Sequence, residues 1–355
     1  MIEYANAQIT RLIVHKIGCK AEGEELHLSK GQLDVGEYES MSDVLKPYFF
    51  KPFKSDQYFN FSDRGEDNGL DMNMVYTQVA AVFDDPATFY EQSVNIAELL
   101  FDCSNHPKIK GGELYLAYFA GCVVDGQICD AVGIFKSENK EMFLKVYLSE
   151  NDRIELGAQE GVSIRKLDKG CIVFNIEREE GFRVVAVDNI NRGQEAQFWM
   201  EDFLGLKPRE DSHFFTDNYM QMCKGFVRDV FNDEHQITRP EQIDLMNKSL
   251  DFFQKNKVFS EEAFNANVMS DPQVIQAFDE YKQQYQTDSR FTQQIPSEFE
   301  ISADAVKGEK KHFKSVIKLD KNFHVYVHGG RYYMEKGYDR ERDMNYYKLF
   351  YKSES

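Results

Sequence analysis

Apolar and polar positions change their period four times along this chain. Residues Ile9 to Ile17 alternate, with Ile9, Arg11, Ile13, His15 and Ile17 on one side and Leu12 and Val14 on the other. That pattern predicts a strand covered on both faces. Glu24 to Leu33 is expected to be its hairpin partner. Ser42 is placed to cap a helix running to Tyr48 and stopped near Pro52. The Asp-, Asn- and Gly-rich stretch from Ser62 to Gly69 predicts a loop, and two helices follow, about Asp71 to Phe83 and Pro86 to Asp102. From Gly112 the period is two, with strands expected at Glu113 to Val124, Gln127 to Phe135, Glu141 to Leu148, Gly170 to Ile176 and Phe182 to Val187. Glycine and Asp/Asn turns between them predict an antiparallel sheet, and the order of strands, helices and meander predicts an α+β fold.

Helical spacing takes over in Gln194 to Leu204, Phe214 to Phe231, Pro240 to Asn256 and Pro272 to Tyr285, with helix starts marked by Thr238-Arg239-Pro240 and Asp271-Pro272. Near the end the period returns to two. Phe313, Ser315, Ile317 and Leu319 share one face and Lys314, Val316 and Lys318 the other. After the turn Asp320-Lys321-Asn322, Phe323, Val325 and Val327 alternate with His324, Tyr326 and His328. Pairing about that turn sets apolar against apolar and polar against polar, a self-consistent register. Two more short strands are expected near Tyr332 to Glu335 and Tyr346 to Tyr351. The expected layout is a mixed α+β domain at 1–190 with an antiparallel sheet, a helical domain at 191–300 and a small basic β module at 301–355.

Composition sharpens this. Of 355 residues 42% are hydrophobic and 14% aromatic, enough for a substantial core. The net charge of −18 argues against binding nucleic acid or anionic membrane by bulk charge. The sign is not uniform: residues 307–355 hold 12 Lys/Arg against 7 Asp/Glu, a net +5, and everything before them sums to −23. Any contact with DNA is therefore expected from a local patch. The start, Met1 to Asn6, carries neither a basic nor an apolar signal region, so no secretory leader is expected. The longest apolar run, Leu114 to Val124, is 11 residues and contains a glycine, against the roughly 20 needed to span a bilayer. Six scattered cysteines without a CxxC pair point to a reducing cytoplasm. The Asp125-Gly126 turn sets Cys122 across from Cys129, and both are expected to be free thiols.

Ile9 to Ile17 with Leu26-His27-Leu28-Ser29, the segment Phe198-Trp199-Met200-Glu201-Asp202-Phe203-Leu204-Gly205 and the ending from Ser315-Val316-Ile317-Lys318-Leu319 onward resemble the bacterial 37-kDa nucleoid-associated proteins. The resemblance spans essentially the whole chain. It implies a cytoplasmic, nucleoid-associated protein with DNA-linked binding and no catalytic residues to carry over.

In Phe198 to Gly205, aromatic spacing reads as packing, with Phe198, Trp199 and Phe203 buried and Gly205 ending the helix, while Glu201 and Asp202 are either solvated or a partner site. His312, His324 and His328 fall near Lys314 and Lys318, where phosphate contact fits better than a metal site. Glu138-Asn139-Lys140 has the Glu-x-Lys form of some metal-dependent nucleases, and Asp84-Asp85 is a carboxylate pair beside Pro86 whose plain reading is helix capping. There is no phosphate loop and no GxSxG, and Cys171 has no placed base, so neither cofactor nor metal nor catalytic residue is expected. The sustained basic region supplies the candidate nucleic-acid contacts: Lys310, Lys311, Lys314, Lys318, Lys321, Tyr326, Arg331 and Lys348, interleaved with further tyrosines. Cations beside aromatic faces are what backbone neutralisation and base stacking require. The expected function is a non-enzymatic protein of the nucleoid that binds DNA or a DNA-processing partner, with self-association left open. Two alternatives stand beside it: an acidic adaptor that reaches the nucleoid through a partner, and a metal-dependent nuclease.

Overall fold

The computed structural model describes residues 2–353 except 35–38, 55, 63–68, 107–108, 151, 191–197, 233–234, 236, 289–293, 314–315 and 328–332. Its architecture is α+β, in two compact units, Met1–Arg209 and Glu210–Ser355.

In chain order the first unit runs β1 (Ile2–Glu3), β2 (Gln8–Ile17), α1 (Glu39–Phe50), β3 (Phe59–Phe61), α2 (Met74–Asp84), α3 (Phe89–Cys103), β4 (Gly112–Val124), β5 (Gln127–Ser137), β6 (Lys140–Leu148), β7 (Ile154–Val162), β8 (Lys169–Phe174), β9 (Arg183–Asp188), a π-helical turn (Phe198–Phe203) and β10 (Leu206–Pro208). Among the described residues eight of these strands form one sheet, in the order β1-β4-β5-β8-β9-β3-β10 with β2 also on β4, and every pairing is antiparallel. The alternation read in β4 is its reason. Leu114, Leu116 and Tyr118 enter an apolar cluster with α2 and α3, while Ala117 and Phe119 enter a second one with Tyr48, Phe49 and Phe50 of α1. The sheet is thus covered on both faces, as its near-continuous apolar strands require.

Several expectations need correcting. A bulge between Ile9 and Arg11 shifts the parity of β2, so Ile9 packs with the α1 cluster and Ile13 and Ile17 with the opposite one. Glu24 to Leu33 is not a strand: it meets β2 through one bridge, Lys16 with His27, and a bond from Leu33 N–H to the Leu12 carbonyl. Ser42 lies inside α1 rather than at its start. The expected loop from Ser62 to Gly69 falls mostly outside the described residues. The strand β7 has no counterpart in the sequence reading, because Gly157 and Gly161 interrupt its alternation, and β6 leaves the main sheet to pair with it as a separate ribbon.

The second unit holds α4 (Ser212–Asp229), α5 (Arg239–Lys255), β11 (Val258–Ser260), α6 (Glu261–Phe264), α7 (Pro272–Asp288), β12 (Glu298–Glu300), α8 (Ala303–Lys310) and the hairpin strands β13 (Val316–Leu319), β14 (Phe323–Tyr326), β15 (Met334–Asp339) and β16 (Met344–Leu349). Thr238 and Glu241 form a capping box that starts α5. The helices close on an aromatic core in which the fully buried Tyr219 lies 4.3 Å from Phe259 and 5.3 Å from Phe264, ring centre to ring centre. The first terminal hairpin has the register expected from its alternation: Ile317 faces Val325, Lys318 faces His324 and Leu319 faces Phe323.

Candidate nucleic-acid interface

The two terminal hairpins, β13–β14 and β15–β16, are separate two-stranded ribbons, not one sheet, among the described residues. Their inward faces meet α5: Ile243, Ile317 and Val327 form a small core, with Leu319, Val325, Met334 and Tyr347 against it. Period two then dictates the rest. With Ile317 and Val325 turned to α5, Lys318, His324 and Tyr326 share the opposite face, and all three are exposed, Tyr326 at 67%. Lys321 is exposed in the turn, next to Asp320, whose φ of +50° closes it.

The remaining candidates do not all join that face. Lys310 ends α8 and Lys311 follows it; both are exposed, on a helix anchored by Val306 in the aromatic core. Lys348 sits on β16, with its ammonium 3.7 Å from Glu335 and 5.3 Å over the Tyr346 ring, so it is partly neutralised. Lys314 and Arg331 lie outside the described residues, as does His328. The structure therefore brings together Lys318, Lys321 and Tyr326 and sets Lys310, Lys311 and Lys348 on other elements.

One cationic locus escaped the sequence reading. A cleft of about 890 Å³ in the first unit lies between the C-terminal half of α1 and the turn after β7. Its lining includes Lys51, Lys54, Arg165 and Lys166, with Asp43 as its carboxylate and Tyr48 and Pro47 among its apolar walls. All four cations are exposed, and none is in an ion pair among the described residues. The signal was present as two short pairs, Lys51 with Lys54 and Arg165-Lys166. More than 100 positions separate them, in a half of the chain whose sum is acidic, so no window brought them together.

The candidate catalytic motifs are occupied structurally. The Glu138 side chain is buried and held by Lys136 at 2.9 Å and Lys169 at 3.3 Å; Lys169 also meets Asp188 at 3.3 Å. Burial pulls the Lys136 ammonium below the ordinary lysine range, with Glu138 opposing the shift. Lys140 turns away to Glu113 at 2.8 Å, so the Glu-x-Lys pair does not converge. Asp85 caps the turn at Pro86 through the Ala87 N–H, and Asp84 forms a two-pronged pair with Arg178 at 2.5 and 2.8 Å. Among the described residues no group of three or more His, Cys, Asp or Glu is arranged to hold a metal ion. The six cysteines are free, and Cys122 faces Cys129 across β4 and β5 as expected. Burial pushes these two thiols up to about 12 and about 11, which favours the protonated form at neutral pH.

The Phe198 to Gly205 segment is packed. Trp199 and Phe203 are fully buried with rings 5.2 Å apart, the Trp199 indole N–H donates to the Gly170 carbonyl at 3.4 Å, and Gly205 ends the turn at φ +65°. The turn is π-helical, not the α-helix expected, and Gln194 to Gln197 lie outside the described residues. No helix among the described residues is long and apolar enough to cross a membrane. None of the curated proteins compared with the chain matches it. The model of one family, described as nucleoid-associated protein YejK, matches residues 13–344, which takes in the second half of β2, the Trp199 turn and most of the terminal hairpins. The chain belongs to this family of nucleoid-associated proteins.

Proposed function

We propose that this nucleoid-associated protein contacts DNA directly, without catalysis, through the exposed face of its terminal β hairpins. The observation that carries the reading is the division of β13–β14: Ile317 and Val325 turn to α5, and Lys318, His324 and Tyr326 occupy the free side. A face that takes no part in packing, and joins cations to a stacking surface, suits phosphate neutralisation and base contact. In this reading residues 1–190 and 191–300 form an acidic scaffold and 301–355 the contact module, in a cytoplasmic protein. The exposed cations of the α1 cleft, Lys51, Lys54, Arg165 and Lys166, set against the single carboxylate Asp43 in its lining, support the same reading as a second place suited to phosphate. The acidic sum of −23 before residue 307 favours the competing reading, an adaptor recruited through a basic partner. Titrating labelled duplex DNA with the purified chain separates them. Direct binding that weakens with salt supports contact, and absence of binding at low salt supports the adaptor. Intact DNA after incubation with Mg²⁺ or Mn²⁺ is the result expected of a non-enzyme, and turnover would restore the nuclease reading.

A further inference from the structure

The cleft beside α1 joins a cationic rim to an apolar wall. Its cations come from two distant places in the chain: Lys51 and Lys54 follow α1, and Arg165 and Lys166 lie between β7 and β8. All four are exposed. Asp43 is the one carboxylate among the described lining, so four cations against one anion leave the cleft a net +3. The wall is formed by Val44 and Ile164, 39 and 59% exposed, with Pro47 beside them. Beneath them the floor is already fixed. Tyr48 is 4% exposed, with its hydroxyl 2.5 Å from Ser137 Oγ. Leu167 is 1% exposed, and its carbonyl accepts from the Asn189 side-chain amide at 2.8 Å. Both side chains belong to the apolar cluster under α1. A site whose floor is ordered before the ligand arrives loses little freedom on binding.

We infer that this cleft binds a small organic polyphosphate of the nucleoside di- or triphosphate class. Size selects a small ligand. The volume of about 890 Å³ lies within the ~300–1,000 Å³ of small-molecule sites, whereas a duplex, whose major groove alone is about 12 Å wide, meets only the rim. Charge selects linked phosphates. Each phosphate group carries about −1.5 to −2 near neutral pH, so two or three together answer a net +3 where a lone carboxylate does not. Arg165 suits a two-pronged grip on phosphate oxygens, and the three lysines act as point charges around it. The wall of Val44 and Ile164 selects an organic part, since an inorganic anion leaves that apolar surface wet. With the Tyr48 ring buried, the described lining opens no aromatic face for stacking, which disfavours a single strand held by successive bases. The inference shares the chemistry of phosphate with the hairpin reading and does not rest on it.

Equilibrium dialysis of the full chain against labelled ATP, with inorganic triphosphate and a short DNA duplex as competitors, tests the inference. Wild-type chain should bind ATP with a Kd on the order of 10–100 μM, and inorganic triphosphate should displace it at least about 10-fold less well than unlabelled ATP. Lys54→Ala with Arg165→Ala removes one cation from each side of the cleft and should weaken ATP binding by about 10-fold or more. Both side chains are exposed, so the melting temperature should hold. The pair Lys54→Gln and Arg165→Gln serves if the first variant misfolds. Ile164→Ser should weaken ATP and leave inorganic triphosphate unchanged. Lys318→Ala with Lys321→Ala, on the hairpin, should bind ATP as the wild type does, which keeps this test separate from that of DNA contact. No ATP binding at millimolar concentration overturns the inference, as does unchanged affinity in the folded cleft variants. Inorganic triphosphate equal to ATP would leave only an anion site, and a duplex that displaces ATP would assign the cleft to the DNA backbone; either result also overturns it.

Discussion

At the scale of single residues, the most informative side chains are polar or aromatic ones with no solvent left around them. His15 is 1% exposed on β2. Its Nδ1 accepts from the Ser29 N–H at 3.1 Å, so its Nε2 carries the proton and donates to Ser93 Oγ at 3.1 Å, and that hydroxyl donates to the Tyr90 carbonyl at 2.6 Å. A second proton would have to face the Ser29 N–H. Burial holds the imidazole down to about 4 from its ordinary 6.5. With the folded value depressed, the unfolded chain takes up the proton first as pH falls, so stability is unaffected above about 6.5 and is lost between 6.5 and 4. Denaturant unfolding should show a loss of roughly 2–3 kcal/mol between pH 7 and 4.5 from this group, flattened in His15→Gln. Phe203 makes the complementary case. It is 1% exposed beside Trp199, and Phe203→Ala should cost about 3–5 kcal/mol, read as a lower melting temperature. An unchanged melting temperature with lost partner binding would make the segment a functional surface instead.

At the scale of elements, alternation was a sufficient guide wherever a polar turn fixed the register. The hairpin β13–β14 is legible because Asp320-Lys321-Asn322 leaves a single pairing that keeps Ile317 against Val325. The same period found β6 and not its fate: alternation states that a strand will pair, and says nothing of which sheet receives it. Its partner β7 was illegible because two glycines replace the residues that would have marked one face. The Trp199 segment was read as buried from its aromatics, but a π-helical turn has no spacing signature distinct from a short helix. What holds it is a contact distant in sequence. Asn73, fully buried, accepts from the Tyr76 N–H at 3.0 Å to cap α2, and its amide donates to the carbonyls of Leu204 at 3.0 Å and Gly205 at 3.2 Å. Asn73→Ala removes the cap and strands a buried carbonyl, so it should cost about 2–4 kcal/mol in equilibrium unfolding. A cost under ~0.5 kcal/mol, the ordinary value for an exposed site, would show that the tie is idle.

At the scale of the whole molecule, the feature that organises the account is the reversal of charge near residue 307. It was legible from the sequence as a sum, and so was the placing of Lys318 and Tyr326 on one side of the β13–β14 hairpin, because alternation and the turn fix their register. The cleft of Lys51, Lys54, Arg165 and Lys166 was not, since a site assembled from two distant short segments leaves no trace in a running charge. An acidic body repels phosphate, so any direct affinity for DNA has to concentrate where cations are exposed and not neutralised. The decisive measurement is the dependence of DNA affinity on salt for the wild-type chain and for the variant carrying Lys318→Ala and Lys321→Ala. Because the packed residues Ile317 and Val325 are untouched, the variant should fold. Each phosphate contact contributes roughly 0.9 to the slope of log affinity against log salt, so the variant should bind all duplex sequences more weakly and its slope should flatten by about 2. The same affinity and the same slope in a folded variant would contradict direct contact through this face.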